Sequence, residues 1–329
     1  MIRIGLLGAS KIAPKAVIDP ARDRDDCVIQ AVAARDPNRA KAYAQTHNIP
    51  HIEESYEALI ARDDIDLVYN ALPPNRHAAL SILAAKHGKA VLCEKPFAMN
   101  AGEAQAMVAA AEVAGTALIE GFHYRFHPAF NDVLKIVQSG KLGDILQMRG
   151  VFNVHIPNRD GELRYQKSLG GGALMDLGCY PIHAMRVVTG VEPTVSSAQN
   201  TFTEGTDVAV ATRVALDFGG VPATLHCDMS PTAIYENHLD IIGSRGTLRI
   251  TRFVHPYRWN PHLGFEIATV IDGEKGLHTL LNSPADYKIS TYAYQLHHVI
   301  QVMRGEVAPL TGGTDAVATM AAIDAILAQ

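Results

Sequence analysis

The chain has little of several features that mark particular classes of protein. Its 329 residues include only four cysteines, and Cys27, Cys93, Cys179 and Cys227 show neither close pairing nor a Cys-x-x-Cys spacing. We therefore expect reduced, mostly buried thiols instead of a disulfide framework. No apolar run reaches the length of a bilayer, and a strand that begins at Ile2 leaves no room for a cleavable signal. These absences predict a cytoplasmic protein.

The chain also lacks a large excess of charge of either sign. The 29 basic and 34 acidic residues give a net charge of −5, which provides no electrostatic attraction to nucleic acid or to an anionic membrane. There is no internal repeat or low-complexity tract. Because a chain of this length can hold two domains with sizeable cores, we expect two globular domains without nucleic-acid or membrane partners.

What the chain does contain is an alternation of apolar strands and helical patterns over residues 1–124. Such alternation predicts parallel βαβ units, and strands that are apolar on both faces fit a sheet buried between two helical layers. The fold class predicted for this part is α/β, a doubly wound Rossmann sheet. The predicted strands after the first cover residues 28–34, 66–71, 91–93 and 117–122, with helices over residues 37–46, 75–87 and 101–114.

A small-residue loop follows the first strand. Residues 8–13 read Gly-Ala-Ser-Lys-Ile-Ala, a Gly-x-Ser-x-x-Ala variant of the dinucleotide fingerprint. Gly8 permits a tight turn, and Ser10 is small enough for the backbone to approach a pyrophosphate. Such residues also occur in ordinary turns, but their position in the first βα unit favours nucleotide binding. The predicted cofactor contacts are Gly8, Ala9, Ser10, Lys11 and Ile12.

The end of the second strand bears on the choice of cofactor. An acidic side chain normally binds the ribose of NAD at this position, and here Ala34 occupies it, followed by Arg35. Without the carboxylate, a guanidinium can pair with the 2′-phosphate of NADP(H), which we expect in preference to NAD(H). Arg39 is either a second phosphate contact or an exposed helix-start residue. A shift of two residues would instead put Asp36 near the ribose, and NAD(H) therefore stays possible.

Two further motifs suggest chemistry. Glu94, Lys95 and Pro96 follow an apolar strand, where sheets of this type position reactive groups, although a lone lysine there could equally be solvated. Asp176 and Tyr180 follow a glycine run and are four residues apart, so they share a face if the turn is helical. A phenol has an unperturbed pKa of about 10 and needs a neighbouring ammonium to exchange a proton near neutral pH. The alternative is a capping aspartate and a half-buried tyrosine.

Together, the motifs at residues 8–13, 94–96, 120–128 and 170–180 resemble the glucose-fructose oxidoreductase, inositol dehydrogenase and rhizopine catabolism (Gfo/Idh/MocA) family. The resemblance spans essentially the whole chain. It implies that Lys95 orients a substrate oxygen and that Asp176 and Tyr180 complete the catalytic site. A tyrosine at position 180, where inositol dehydrogenases have histidine, is more similar to the glucose-fructose oxidoreductase, D-xylose dehydrogenase and dimeric dihydrodiol dehydrogenase branches.

The resemblance implies further contacts. The nicotinamide half of the cofactor would be held by the loop after the third strand and by the Glu-Lys-Pro motif, although the prolines of that loop could be simple turn formers. Polar residues before the glycine run could close over a sugar, but such loop residues are as often solvated. The expected nicotinamide contacts are Leu72, Pro73, Asn75, His77, Glu94 and Lys95. The expected substrate contacts are His155, Arg159, Lys95, Asp176 and Tyr180, and the same polar segment also contains Asn158, Arg164 and Gln166.

The second predicted domain covers residues 125–289. Strand-like runs at 207–218, 221–229, 238–242 and 247–251 are joined by short glycine-containing turns, which indicates antiparallel hairpins. We expect an α+β domain with an open, largely antiparallel sheet, and the family resemblance implies a homodimer or homotetramer formed through that sheet. Helical patterns at 292–304 and 315–327 should pack back toward the first domain.

No metal site is predicted. His123 and His127 are four residues apart, but Pro128 follows at once and no acid or cysteine completes a set. The predicted activity is reversible hydride transfer between NADP(H) and a hydroxyl- or carbonyl-bearing carbon of a sugar or polyol. Tyr180 would act as general acid/base, Lys95 would polarise the oxygen and Asp176 would orient the substrate or the pair. The alternatives are a trans-dihydrodiol dehydrogenase and a non-catalytic dinucleotide-binding regulator.

Overall fold

The computed structural model describes residues 1–254, 265–279 and 289–329. It divides the chain into two compact units, Met1–His123 with Tyr292–Met320 and Tyr124–Thr291 with Ala321–Gln329. Parts of the predicted second domain, residues 255–264 and 280–288, lie outside the described residues.

The first unit contains a parallel sheet of strands whose side chains are largely buried. The strands are β1 Ile2–Leu7, β2 Cys27–Ala33, β3 His51–Glu53, β4 Leu67–Asn70, β5 Ala90–Cys93 and β6 Leu118–Glu120. Their order is β3-β2-β1-β4-β5-β6, and all described pairs are parallel. The predicted doubly wound sheet is confirmed, whereas the short and largely exposed β3 is an addition that the apolar pattern did not indicate.

Helices connect these strands, and polar caps explain where several of them begin. The helices are α1 Asp19–Arg22, α2 Pro37–His47, α3 Tyr56–Ile60, α4 His77–Lys86 and α5 Ala101–Ala114. Asp36, Ser55 and Asn100 accept hydrogen bonds from backbone N–H groups in the first turns of α2, α3 and α5. A π-helical turn, Pro14–Ile18, leads directly into α1.

The strand order determines where a ligand can bind. The chain moves outward from β1 to β3 and then resumes on the other side of β1 with β4. In open α/β sheets the crevice at such a reversal, beyond the carboxyl ends of the strands, is the usual ligand site. The loops that follow β1, β2, β4 and β5 all leave the sheet at this edge. They carry most of the predicted cofactor contacts, and the other two, Arg39 and His77, lie in the first turns of α2 and α4.

The second unit contains a mixed sheet. Its strands are β7 Ile145–Asn153, β8 Thr194–Phe202, β9 Ala209–Asp217, β10 Pro222–Asp228, β11 Glu236–Gly243, β12 Gly246–Thr251, β13 Glu266–Ile271 and β14 Glu274–Thr279. The order is β14-β13-β12-β11-β7-β10-β9-β8. The pair β7 and β10 is parallel and the other described pairs are antiparallel, which confirms the predicted largely antiparallel sheet.

The remaining helices are α6 Pro128–Gln138, α7 Cys179–Thr189, α8 Thr291–Met303 and α9 Gly313–Leu327. Helix α7 packs closely on the sheet, because a Cβ at Gly150 of β7 would lie only 2.6 Å from Pro181 Cβ. Two contacts hold the segment after α8 within the first unit: Arg304 pairs with Asp26 at 2.8 Å, and Thr311 donates to the carbonyl oxygen of Glu120 at 2.7 Å. None of the described helices is both long and apolar enough to cross a membrane.

Candidate dinucleotide site and catalytic residues

The fingerprint loop begins at Gly8 for two physical reasons. Its φ of 93° lies in the left-handed region, and a Cβ at this position would come within 2.9 Å of the Leu72 side chain. The positive φ favours glycine, and a Cβ would in addition displace the end of the Leu72 side chain. The loop after β1 and the loop after β4 therefore lie in direct contact, at the point where the strand order reverses.

Helix α2 fixes the shape of this loop. Arg39 Nη2 donates to the carbonyl oxygen of Ala9 at 2.7 Å, and the Tyr43 hydroxyl donates to that of Ser10 at 2.9 Å. Burial raises the pKa of Tyr43 to about 12, so it remains a neutral donor. Ala9 packs with Ala34 in a small apolar cluster below. The role of Arg39 as a phosphate contact stays a prediction, since the structure shows this side chain supporting the loop.

Ser10 has a second use beyond its small size. Its Oγ accepts a hydrogen bond from the N–H of Ala13 at 3.1 Å, directly before the π-helical turn. Single π-helical turns are rare and often occur at functional sites. Lys11 is exposed and Ile12 is half-buried at the same end of the sheet.

The junction between β2 and α2 bears on the predicted cofactor. Ala34 is buried, and Arg35 beside it is exposed. The carboxylate of Asp36 accepts hydrogen bonds from the N–H groups of Asn38 at 2.9 Å and Arg39 at 3.4 Å. Asp36 is therefore the N-cap of α2, and this role accounts for an acid at that position without a ribose contact.

A buried histidine joins the next two loops. Nδ1 of His77 lies 3.0 Å from the carbonyl oxygen of Pro96, and Nε2 lies 2.7 Å from that of Leu72. Burial lowers the pKa of His77, and the hydrogen bonds to backbone carbonyls partly offset this effect. The structure shows His77 joining the two loops, and its direct contact with the cofactor stays a prediction. Leu72 and Pro73 are half-buried and Asn75 is exposed.

The Glu-Lys-Pro motif lies beside this histidine. The N–H of Glu94 donates to the carbonyl oxygen of Asn70 at 2.9 Å, and its carboxylate accepts a hydrogen bond from the Tyr69 hydroxyl at 2.7 Å. Burial, followed by the charge of Glu94, raises the pKa of Tyr69, which keeps this phenol a donor. Glu94 is thus held by the protein core. Lys95 follows it, half-buried at the edge of the crevice, and its peptide bond to Pro96 is cis.

In the second unit, the glycine run allows two backbone segments to approach closely. A Cβ at Gly171 would lie 2.6 Å from the carbonyl oxygen of Arg164, and the N–H of Gly172 donates to the same oxygen at 2.8 Å. A second π-helical turn, Leu174–Gly178, follows and continues into α7. Asp176 lies in this turn and Tyr180 at the start of α7, so both belong to one continuous helical segment.

Tyr180 is 4% exposed, and its ring packs in an aromatic cluster. The ring centroid lies 5.7 Å from that of Phe152 and 6.0 Å from that of Tyr124. The hydroxyl of Tyr124 is 2.6 Å from Nδ1 of His183, one turn beyond Tyr180. This packing restricts the orientation of the Tyr180 ring, which the predicted role as general acid/base would need.

Asp176 is paired with an arginine that was predicted only as a polar loop residue. Arg164 Nε donates to Asp176 Oδ2 at 2.6 Å, and Nη1 donates to Glu162 Oε1 at 2.8 Å. The charge of Asp176, together with these hydrogen bonds, raises the pKa of Arg164 despite its desolvation. The sequence contained the arginine but no signal for its partner.

Comparison with known proteins agrees with both units. Residues 2–122 match the model of an oxidoreductase family with an NAD-binding Rossmann fold, and residues 130–249 match the Gfo/Idh/MocA C-terminal domain. The chain belongs to the Gfo/Idh/MocA oxidoreductase family. The predicted family and the predicted class of enzyme, an oxidoreductase, are thereby confirmed.

The names of two relatives of this Gfo/Idh/MocA chain state their substrates, a sugar in one case and a diol in the other. It is 37% identical to a D-xylose 1-dehydrogenase (NADP(+)) of Haloferax volcanii over 72% of the chain and 69% of that protein. It is 30% identical to a trans-1,2-dihydrobenzene-1,2-diol dehydrogenase of Xenopus tropicalis over 91% and 88%. The structure of KijD10, a 3-ketoreductase of Actinomadura kijaniata in complex with NADP and TDP-benzene, matches 99% of the chain and 97% of KijD10 with a TM-score of 0.88 and 28% identity.

The remaining predicted residues of this Gfo/Idh/MocA chain lie apart from these contacts. His155 and Arg159 are exposed, and their contact with substrate stays a prediction. His123 stacks on Tyr292 with ring centroids 4.0 Å apart, and Nδ1 of His127 accepts from the N–H of Ala129 as the N-cap of α6. Among the described residues, no group of three or more His, Cys, Asp or Glu side chains could hold a metal ion.

Proposed function

We propose that the protein is an NADP(H)-dependent oxidoreductase that transfers hydride between the nicotinamide and a hydroxyl- or carbonyl-bearing carbon of a sugar or sugar-like polyol. The observation that carries the proposal is the position of Lys95. It follows β5 at the same edge of the sheet as the fingerprint loop, where a bound dinucleotide would present its reactive ring. Leu72, Pro73 and Asn75 belong to the loop between them and are the proposed nicotinamide contacts.

The preference for NADP(H) over NAD(H) has support at the β2–α2 junction. Asp36 is engaged in capping α2, and a buried alanine and an exposed arginine, Ala34 and Arg35, precede it. A carboxylate at the ribose would repel a 2′-phosphate, whereas a guanidinium binds it with charge-assisted hydrogen bonds. The named NADP-dependence of the H. volcanii relative and the NADP bound to KijD10 agree with this choice.

The proposed reaction divides its groups between two domains, a cofactor domain over residues 1–124 and a substrate domain over residues 125–289. In the oxidation direction, a bound nicotinamide would supply the hydride acceptor for the substrate C–H bond, and the phenolate of Tyr180 would accept the hydroxyl proton. The ammonium of Lys95 stabilises the developing carbonyl oxygen and favours the phenolate. Asp176 orients the substrate hydroxyls. Reduction follows the same steps in reverse.

A panel of substrates tests this proposal. Purified protein would be assayed with NADP+ against aldoses and polyols and with NADPH against keto-sugars, and absorbance at 340 nm would report the nicotinamide. We expect turnover of at least one sugar or polyol, faster with the phosphorylated cofactor. Cofactor binding without turnover of any substrate would instead favour the non-catalytic dinucleotide-binding regulator, against which the presence of Lys95, Asp176 and Tyr180 argues.

A second candidate activity is the oxidation of vicinal trans-dihydrodiols. It is favoured by the 30% identity to the X. tropicalis diol dehydrogenase over 91% of the chain. The same three groups would serve it, because a ring diol also presents a carbinol C–H beside a second hydroxyl. Relative kcat/KM values for trans-dihydrobenzenediol and for aldoses would decide between the two substrate classes.

Assembly and location belong to the same proposal. Large apolar side chains are exposed on both edge strands of the second unit's sheet, Phe202 of β8 at 61% and Leu277 of β14 at 54%, which supports a homodimer or homotetramer formed through this sheet. Sedimentation velocity would test it, with a monomer at micromolar concentration as the contrary result. The four cysteines are buried thiols, as expected for a cytoplasmic protein.

A further inference from the structure

Arg164 lies on a short 3-10 turn, Leu163–Tyr165, that leads to the glycine run. Its guanidinium is shared between two carboxylates, with Nε on Asp176 at 2.6 Å and Nη1 on Glu162 at 2.8 Å. The Asp176 side chain is 15% exposed and that of Arg164 is 35% exposed. A guanidinium presents its donors in a rigid plane, so two partners on one fork define each other's orientation.

The turn that carries Arg164 is itself anchored. The Tyr165 hydroxyl donates to the carbonyl oxygen of Ile156 at 2.6 Å and lies 3.3 Å from that of Met229. The carbonyl oxygen of Arg164 accepts a hydrogen bond from the N–H of Gly172 at 2.8 Å. It also lies so close to Gly171 that no side chain fits between them. These contacts hold the backbone of Arg164 in place, and they set the position of its guanidinium relative to the helical segment of Asp176.

We propose that Arg164 is a positioning residue that holds the Asp176 carboxylate, charged and in one rotamer, toward the hydroxyl groups of a substrate. The inference rests on the proposed function of Asp176 and extends it to the segment before the glycine run. Glu162 orients Arg164 in turn. An arginine is required because a lysine would supply charge without the fork that engages both acids.

The test is a double-mutant cycle on kcat/KM for the best substrate of the panel. Arg164→Gln should lower kcat/KM roughly 10- to 100-fold, the usual size of one hydrogen bond to a charged group, while leaving NADPH affinity within about twofold. Arg164→Lys should recover only part of the loss. The matched control is Lys167→Gln, which removes a positive charge from an exposed side chain of the same segment and should leave kcat/KM unchanged.

The decisive comparison is the same substitution in an Asp176→Asn background. If Arg164 acts through Asp176, Arg164→Gln should have little further effect there. Equal losses in both backgrounds, or no loss in the wild-type background, would overturn the proposal. A general structural role would instead lower the yield of folded protein in both backgrounds, which thermal unfolding would detect.

A crystal structure of Arg164→Gln separates failure of this inference from failure of the proposed function. If the wild-type protein turns over no substrate of the panel, the proposed function fails. The positioning role is then decided by the Asp176 carboxylate alone. A changed rotamer or a shift of more than about 1 Å would support it, since supporting contacts hold site groups within roughly 0.5 Å. An unchanged carboxylate in that variant would overturn it.

Discussion

Tyr180 is the residue on which the proposed chemistry depends most. Its ring is fixed by aromatic neighbours, and Tyr180→Phe retains this packing while removing the proton donor. We predict a fall in kcat of about 100- to 10,000-fold, the usual contribution of general acid/base catalysis, with NADPH affinity essentially unchanged. Steady-state kinetics and a fluorescence titration of the same preparation measure both. Turnover within a few-fold of wild type would remove Tyr180 from the mechanism.

His127 supplies a prediction on stability. It is 1% exposed, and Nδ1 caps α6 by accepting the N–H of Ala129 at 3.2 Å. Burial lowers its pKa to about 4, whereas a histidine in the unfolded chain titrates near 6.5. The unfolded state therefore binds more protons between these values. The contribution of neutral His127 to the free energy of unfolding is therefore complete above about pH 6.5. It is lost as the pH falls toward 4, and the total loss is roughly 3 kcal/mol.

The substitution His127→Asn tests this sign. Asparagine is a good N-cap but does not titrate, so the variant should lose less free energy of unfolding than the wild type between pH 7 and pH 4. Urea unfolding at several pH values gives the slope of the free energy of unfolding against pH for the variant and for the wild type. Other buried histidines contribute equally to both proteins and cancel in the difference. Identical slopes would show that His127 is already protonated, or solvated, in the folded protein.

At the scale of elements, the proposed preference for NADP(H) depends on the junction of β2 and α2. Arg35→Ala removes the proposed partner of the 2′-phosphate, and we predict a roughly 10- to 100-fold weaker affinity for NADPH with that for NADH unchanged. Lys41→Ala, which removes an exposed positive charge from α2, is the matched control and should affect neither cofactor. Equal weakening for both cofactors would mean that Arg35 contacts a part that they share.

The glycine run provides a second prediction at this scale. Gly171→Ala would bring a methyl group within 2.6 Å of the Arg164 carbonyl oxygen, and the backbone of the Leu163–Tyr165 turn would have to move. We expect the free energy of unfolding to fall by roughly 1–3 kcal/mol, measured by chemical denaturation. Ser168→Ala, at an exposed position nearby, should change it by less than about 0.5 kcal/mol. Equal free energies of unfolding for the two variants would mean that the Leu163–Tyr165 turn can move aside without cost.

The elements that the sequence predicted well are those with strong apolar patterns, such as β1, β5 and α5. The pattern did not predict the three-residue β3 because its residues are largely exposed. It also did not predict β7 or β8, because polar residues interrupt β7 and make up most of β8. Asp36 could have been recognised as a helix cap, since proline follows it at the first helical position. The pairing of Arg164 with Asp176 could not, because side chains 12 residues apart across a loop meet only through tertiary packing.

At the scale of the whole molecule, the proposed reaction needs both units. The fingerprint loop and Lys95 belong to the first unit, and Asp176, Tyr180 and Arg164 belong to the second. A chain that kept only the first set would be a dinucleotide-binding module, whereas this chain also carries the residues proposed as acid/base and positioning groups. The matches to a diol dehydrogenase over 91% of the chain and to a 3-ketoreductase over 99% of it include both units.

The most direct measurement is the transfer of the hydride itself. NADPH deuterated at C4 would be incubated with the protein and a panel of keto-sugars, and each product would be analysed by mass spectrometry and NMR. The account predicts deuterium on the carbinol carbon of at least one product with wild-type protein, and a rate of incorporation about 100- to 10,000-fold lower with Tyr180→Phe. Tight NADPH binding with no deuterium in any sugar or diol would contradict it and identify a dinucleotide-binding protein without this chemistry.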